Sequence, residues 1–199
     1  TRSADPAGYS LLCDVLGNVP GYAMRIEAFE DACPHSFLIP EIRYAHAMNL
    51  FDAMDYHEAA IQLDAVPMKS VPAERMAEFL FKKAYCALEN RNFQASLENF
   101  RKVEGMPLSD YTAPSRYAIG YVEYLLKNFK ESLPWFEKSS SDGRFREMSS
   151  YYIMECRFMM KDYEYVTENG DSMYASVPAD RKPHLARIIS ESYLVSGDA

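Results

Sequence analysis

Apolar side chains return along this chain at intervals of three and four residues, in stretches broken by short polar turns. That spacing stacks them on one face of an α-helix, with polar residues on the other. The pattern predicts helices over roughly 7–17, 22–33, 41–54, 57–66, 74–90, 94–104, 113–127, 130–139, 147–161, 164–175 and 183–196. Start signals agree with these positions. Asp5-Pro6, Pro40-Glu41, Pro72 with Glu74, and Thr112 before Pro114 all suit a helix N-terminus. Pro134 falls inside a predicted helix, where it removes a hydrogen bond to the Lys130 carbonyl and predicts a bend or a late start.

The helices come in pairs, and the pairs repeat. Asp55-Tyr56, Asn92-Phe93, Asn128-Phe129 and Asp162-Tyr163 each place a polar residue and an aromatic one after a helical stretch. The aromatic anchors step by 37, 36 and 34 residues (56 to 93, 93 to 129, 129 to 163). One step back lands on Gly21-Tyr22, and one step forward on Ala199. Other columns keep the period. Nine residues before the anchors stand Cys13, Ala47, Ala84, Gly120, Met154 and Ser190, mostly small, as a close helix crossing requires. Seven after stand Phe29, Leu63, Phe100, Phe136 and Gly170, mostly large. The anchors are expected in the short turns between paired helices.

This pattern resembles the tetratricopeptide family. Tyr9-x-x-Leu12-Cys13-x-x-Leu16 and Ile119-Gly120 are similar to its first helix. Ala59-x-x-x-Leu63, Ser96-x-x-x-Phe100 and Ser132-x-x-x-Phe136 are similar to its second. No unit matches throughout. Tryptophan is missing from its usual column, the closing proline stands only at Pro178, and the fifth unit departs most, at Met154, Val166 and Gly170. The resemblance implies an all-α fold, an α-α superhelix of about five units (6–39, 40–76, 77–112, 113–146, 147–182) with a partial sixth (183–199). It implies a single stacked array, because one pair alone cannot bury its apolar faces. The sixth unit lacks its second helix and the chain opens on Thr1, so the natural protein is expected to extend further.

The family resemblance also implies a binding scaffold rather than an enzyme, with first helices lining the inner wall. The columns twelve and eight before each anchor then supply a candidate peptide-binding stripe of Tyr44, Met48, Phe81, Tyr85, Tyr117, Tyr121 and Tyr151. Two readings stand: an aromatic groove for a peptide or partner protein, or rings covered between adjacent helices. The Lys and Asn with which some family members grip a terminal carboxylate are absent from these columns. Cys33-Pro34-His35-Ser36-Phe37 resembles the Pro-x-Ser turn of bacterial envelope members, which implies the cell envelope or periplasm; unpaired cysteines pull toward the cytoplasm.

Composition narrows the alternatives. A net charge of −8 disfavours tracking a phosphate backbone, so no nucleic-acid partner is expected, and a helical-repeat nucleic-acid binder is the weaker reading. A regulatory domain of a larger enzyme is another. No apolar run is long enough to span a bilayer. The four histidines (35, 46, 57, 184) show no metal-ligand spacing, and neither phosphate loops nor nucleophile motifs occur, so no cofactor, metal or catalytic residue is expected. His46 falls in an apolar column and reads as a hydrogen-bonded core histidine. Cys13, Cys33, Cys86 and Cys156 read as small buried thiols, with no bond between Cys86 and Cys156. The carboxylate clusters, Glu27 with Glu30-Asp31 and Glu89 near Glu98, read as solvated faces.

Overall fold

The computed structural model describes residues 5–197, and among them the protein is all-α. Its helices are α1 (Pro6–Leu16), α2 (Tyr22–Ala32), α3 (Ile39–Asp52), α4 (Tyr56–Ala65), α5 (Met76–Glu89), α6 (Phe93–Glu104), α7 (Thr112–Leu125), α8 (Phe129–Ser139), α9 (Arg146–Met159), α10 (Tyr163–Ser176) and α11 (Lys182–Ser196). Two 3-10 turns, Met68–Ser70 and Ala73–Arg75, lie between α4 and α5. Successive helices pack against their neighbours, as in an α-α repeat. The residues form two compact units, one up to Asn99 and one from Phe100. The first gathers Leu11, Val15, Ile26, Phe29, Leu38 and Ile42. The second gathers Phe136, Tyr152, Met154, Val166, Leu185 and Ile188 among others. Burying each such side chain contributes ~1.5–3 kcal/mol.

The recurring polar–aromatic signal has a definite geometric origin. Each first helix is closed by a residue in the left-handed region: Met54, Arg91, Lys127 and Lys161, at φ of 62°, 59°, 63° and 63°. Its N–H bonds to the carbonyl three residues back, and the next N–H bonds to the carbonyl five back. Met54 N–H meets Phe51 O and Asp55 N–H meets Leu50 O, with the same pair of bonds at Arg91-Asn92, Lys127-Asn128 and Lys161-Asp162. These are Schellman caps, which satisfy orphan carbonyls at a helix end. The Asp or Asn that completes the cap also begins the next helix. Asp55 Oδ1 accepts from Glu58 N, Asn92 Oδ1 from Ala95 N, and Asp162 Oδ1 from Tyr165 N. Asn128 instead turns its amide to Glu123. The aromatic anchor is therefore the first residue of the second helix rather than a turn residue.

The first pair departs from this geometry, and the departure corrects the column assignment. Its left-handed cap residue is Asn18 (φ 48°), four residues before Tyr22 instead of two, with Gly21 (φ 84°) taking the last step into α2. The two extra residues shift α1 in register. Counted from the left-handed residue, the partner of Ala47, Ala84 and Gly120 is Leu11, which is buried, and not Cys13, which is exposed. The close crossing is made by Gly8, where a Cβ would lie 2.7 Å from Leu38 and 2.9 Å from Phe29. Ser10 and Asp14, twelve and eight residues before Tyr22, are out of register with the stripe columns for the same reason.

The fifth pair keeps the packing while exchanging partners. In the fourth pair Gly120 lies so close to the Phe136 ring that a Cβ would stand 3.0 Å from it. In the fifth the large residue is on the first helix, as Met154, and the glycine on the second, as Gly170. Met154 is fully buried, and Gly170 lies against Ile189 of α11. Both positions stay packed with the sizes reversed. Pro134 sits within α8, which runs unbroken from Phe129 to Ser139 with no late start. Pro134 has no N–H for the carbonyl of Lys130, an exposed residue.

Candidate functional site

The candidate stripe divides between the two units, with Tyr44, Met48, Phe81 and Tyr85 in the first and Tyr117, Tyr121 and Tyr151 in the second. Tyr44 and Tyr151 are buried, and the other five are half-buried.

In the first unit Tyr44 packs on Phe79 (centroids 6.0 Å apart) beneath the Arg75 guanidinium. Tyr85 is the centre of a second group. Phe51, Tyr56 and Phe81 surround it at 5.5, 5.4 and 6.3 Å. Tyr56 opens α4, so the repeat anchor supports the stripe directly. Burial, reinforced by Glu89 and Tyr56, pushes the Tyr85 hydroxyl up to about 12. It stays neutral at any physiological pH, within hydrogen-bonding reach of Glu89 and Tyr56.

In the second unit the rings gather on Tyr152 of α9, a buried residue that the stripe columns do not contain. Tyr117, Tyr121, Tyr124 and Tyr151 approach it at 6.2, 5.6, 5.0 and 5.2 Å, and Phe136 stacks on it at 5.0 Å. Tyr117 is further stacked on Phe145, at 5.2 Å. Edge-to-face and stacked pairs of this kind stabilise by ~0.5–1.5 kcal/mol beyond their burial. Burial drives the Tyr117 hydroxyl upward as well. Tyr121 keeps its half-exposed edge on a support that cannot easily shift.

Two buried carboxylates escape the sequence reading. Glu123 takes Arg101 at 2.6 Å and the Asn128 amide at 2.9 Å. Glu155, on the same turn of α9 as Tyr151, accepts from the Tyr151 hydroxyl, from the Tyr124 hydroxyl at 2.7 Å, and from His184 Nδ1 at 2.7 Å. Arg187 donates to His184 Nε2 at 3.0 Å, which places the ring proton on Nδ1, toward Glu155. Burial, with Glu155 adding to it, raises both tyrosine hydroxyls. The signal was a carboxylate in the column of Tyr85 and Tyr121, four residues after a tyrosine. Chemically the cluster is a closed set of paired donors and acceptors tying α7, α9 and α11.

The remaining expectations resolve individually. His46 is hydrogen-bonded to Tyr22, at 2.9 Å, and partly buried. All four cysteines are free: Cys86 and Cys156 are buried, Cys33 is half-buried, and Cys13 faces solvent, so the expectation of four buried thiols fails at Cys13. Glu27, Asp31, Glu89 and Glu98 are exposed, whereas Glu30 is half-buried against Arg43. Among the described residues no three His, Cys, Asp or Glu gather as metal ligands, and no helix is long and apolar enough to cross a membrane. No protein-family model matches the chain, and no curated protein matches it.

Proposed function

We propose that the protein is a scaffold of tetratricopeptide type that holds a peptide or a partner protein on the aromatic faces of its first helices. The observation that supports this is the split in burial within the stripe. Tyr44 and Tyr151 are buried as supports, while Met48, Phe81, Tyr85, Tyr117 and Tyr121 keep part of their surface in water. Half-buried tyrosines held rigid from behind offer contact area at little entropic cost, with a hydroxyl for backbone groups. The resemblance of Cys33–Phe37 to an envelope-protein turn supports a bacterial envelope setting, which fractionation of the native host would test.

Selection from a displayed peptide library supplies a probe, and fluorescence anisotropy measures its affinity. Tyr85→Ala or Tyr121→Ala is expected to weaken capture by ~2 kcal/mol, about thirtyfold, with a smaller loss of stability. If either variant instead melts like a core truncation such as Phe136→Ala, that ring is packing and the reading fails for its unit.

A further inference from the structure

The first unit contains an open cleft of 290 Å³ away from the aromatic stripe. Met24, Ile26 and Glu27 of α2 form one wall, Glu58 and Gln62 of α4 form another, and His46 of α3 lies between them. The protonation of its polar groups follows from their bonds. Asn49 Nδ2 donates to the Tyr22 hydroxyl at 3.1 Å, and that hydroxyl gives its proton to His46 Nδ1. The ring proton is then on Nε2. Burial holds the His46 pKa below the usual imidazole range, so the ring is neutral near pH 7. Gln62 donates to Glu58 Oε1 at 3.0 Å and adds no charge. Arg43, which donates to Gln62 at 3.3 Å, is paired with Glu30. The cleft lining therefore carries two carboxylates and no cation.

The next repeat carries a cation in the column of His46, paired with a carboxylate whose counterpart beside His46, Glu30, is taken by Arg43. Ten residues before its anchor, where the preceding repeat has His46, stands Lys83, whose Nζ reaches Asp64 of α4 at 2.7 Å. In later repeats the column is Ile119, Ile153 and Ile189, all buried. The column thus runs from a neutral imidazole beside two carboxylates, through a lysine paired with an aspartate, to closed apolar packing.

We propose that the cleft between α2 and α4 takes a lysine or arginine side chain from a partner protein. The apolar stem lies along Ala23 and Met24, and the cationic head sits between Glu27 and Glu58. Met24 suits the role, being 83% exposed and an adaptable apolar surface. The overall charge of −8 favours approach of a basic segment. This surface does not depend on the aromatic stripe, and its probe is read at different residues.

The test uses acetylated, amidated pentapeptides Gly-Gly-Xaa-Gly-Gly with Xaa as Lys, Arg or norleucine, followed by NMR at the His46 ring and the amides of Met24, Glu27 and Glu58. The cationic peptides are expected to give saturable shifts there that weaken as salt is raised, and norleucine none. Glu27→Gln should weaken binding about tenfold, the loss of one charged contact. His46→Lys, which copies the next repeat, should fill the cleft and abolish binding. Because Glu27 is exposed, its variant decides the matter should His46→Lys unfold. Equal shifts with norleucine, or unchanged affinity in Glu27→Gln, would overturn the proposal.

Discussion

Each unit pairs a tyrosine with a histidine, and the two pairs end differently. In the second unit Arg187 donates to His184, His184 to Glu155, and Tyr151 and Tyr124 close on the same carboxylate. Every group has its complement within the chain. In the first unit Asn49 donates to Tyr22 and Tyr22 to His46, and the series stops at a ring proton beside an open cleft. The same residue types fasten helices where the chain supplies the last partner, and leave a vacancy of chemistry where it does not. A satisfied buried network is rigid, and removing one member exposes the others to an uncompensated desolvation cost.

That contrast can be broken most forcefully at Glu155. Glu155→Ala leaves the Tyr124 and Tyr151 hydroxyls without their acceptor and reduces His184 Nδ1 to its contact with Tyr151, so chemical denaturation should show a loss of about 3 kcal/mol. A loss under about 1 kcal/mol would mean that the cluster is not a fastening. A control common to both units comes next. Arg91→Gly in the first and Lys127→Gly in the second relieve a left-handed backbone, and each should raise stability by about 1 kcal/mol in the same assay. Unequal gains would show that the turns differ between units and blur the comparison. An effect no larger is expected at His46. His46→Ile installs the side chain of Ile119 and Ile153 but removes the acceptor of the Tyr22 hydroxyl, which keeps only its bond from Asn49, so stability should fall by about 1 kcal/mol, well short of the loss at Glu155. A larger loss would make His46 as structural as Glu155.

Reactivity separates buried from open positions by rate rather than by equilibrium. Burial pushes the Cys86 and Cys156 thiols up to about 12 and about 11, so little thiolate forms below pH 9. Cys13, exposed, should consume a thiol reagent first in the native protein, with Cys86 and Cys156 reacting only on unfolding.

The helices were legible because periodicity survives substitution. All eleven lie within two residues of the predicted spans, and the anchors mark where second helices begin. The first turn was not legible, because Val19-Pro20 adds two residues without altering the aromatic spacing from Tyr22 to Tyr56. Met154 and Gly170 read as a loss of pattern because columns record identity, while both positions stay packed with the sizes reversed. Glu155 escaped because hydropathy ranks a glutamate as surface, and only its three partners, on three helices, make it interior. The stripe columns found rings on the first helices but missed Tyr152, one position away, on which the second unit's rings converge.

The turn shared by four of the pairs has a consequence for how such a chain can change. One Asp or Asn ends a helix and starts the next, so the corner is set chiefly by bonds within about nine consecutive residues. A connector that carries its own geometry is portable. Pairs can be duplicated, deleted or exchanged by recombination at these junctions without redrawing the corner, leaving each helix face free to diverge, as the column of His46, Lys83 and Ile119 has done.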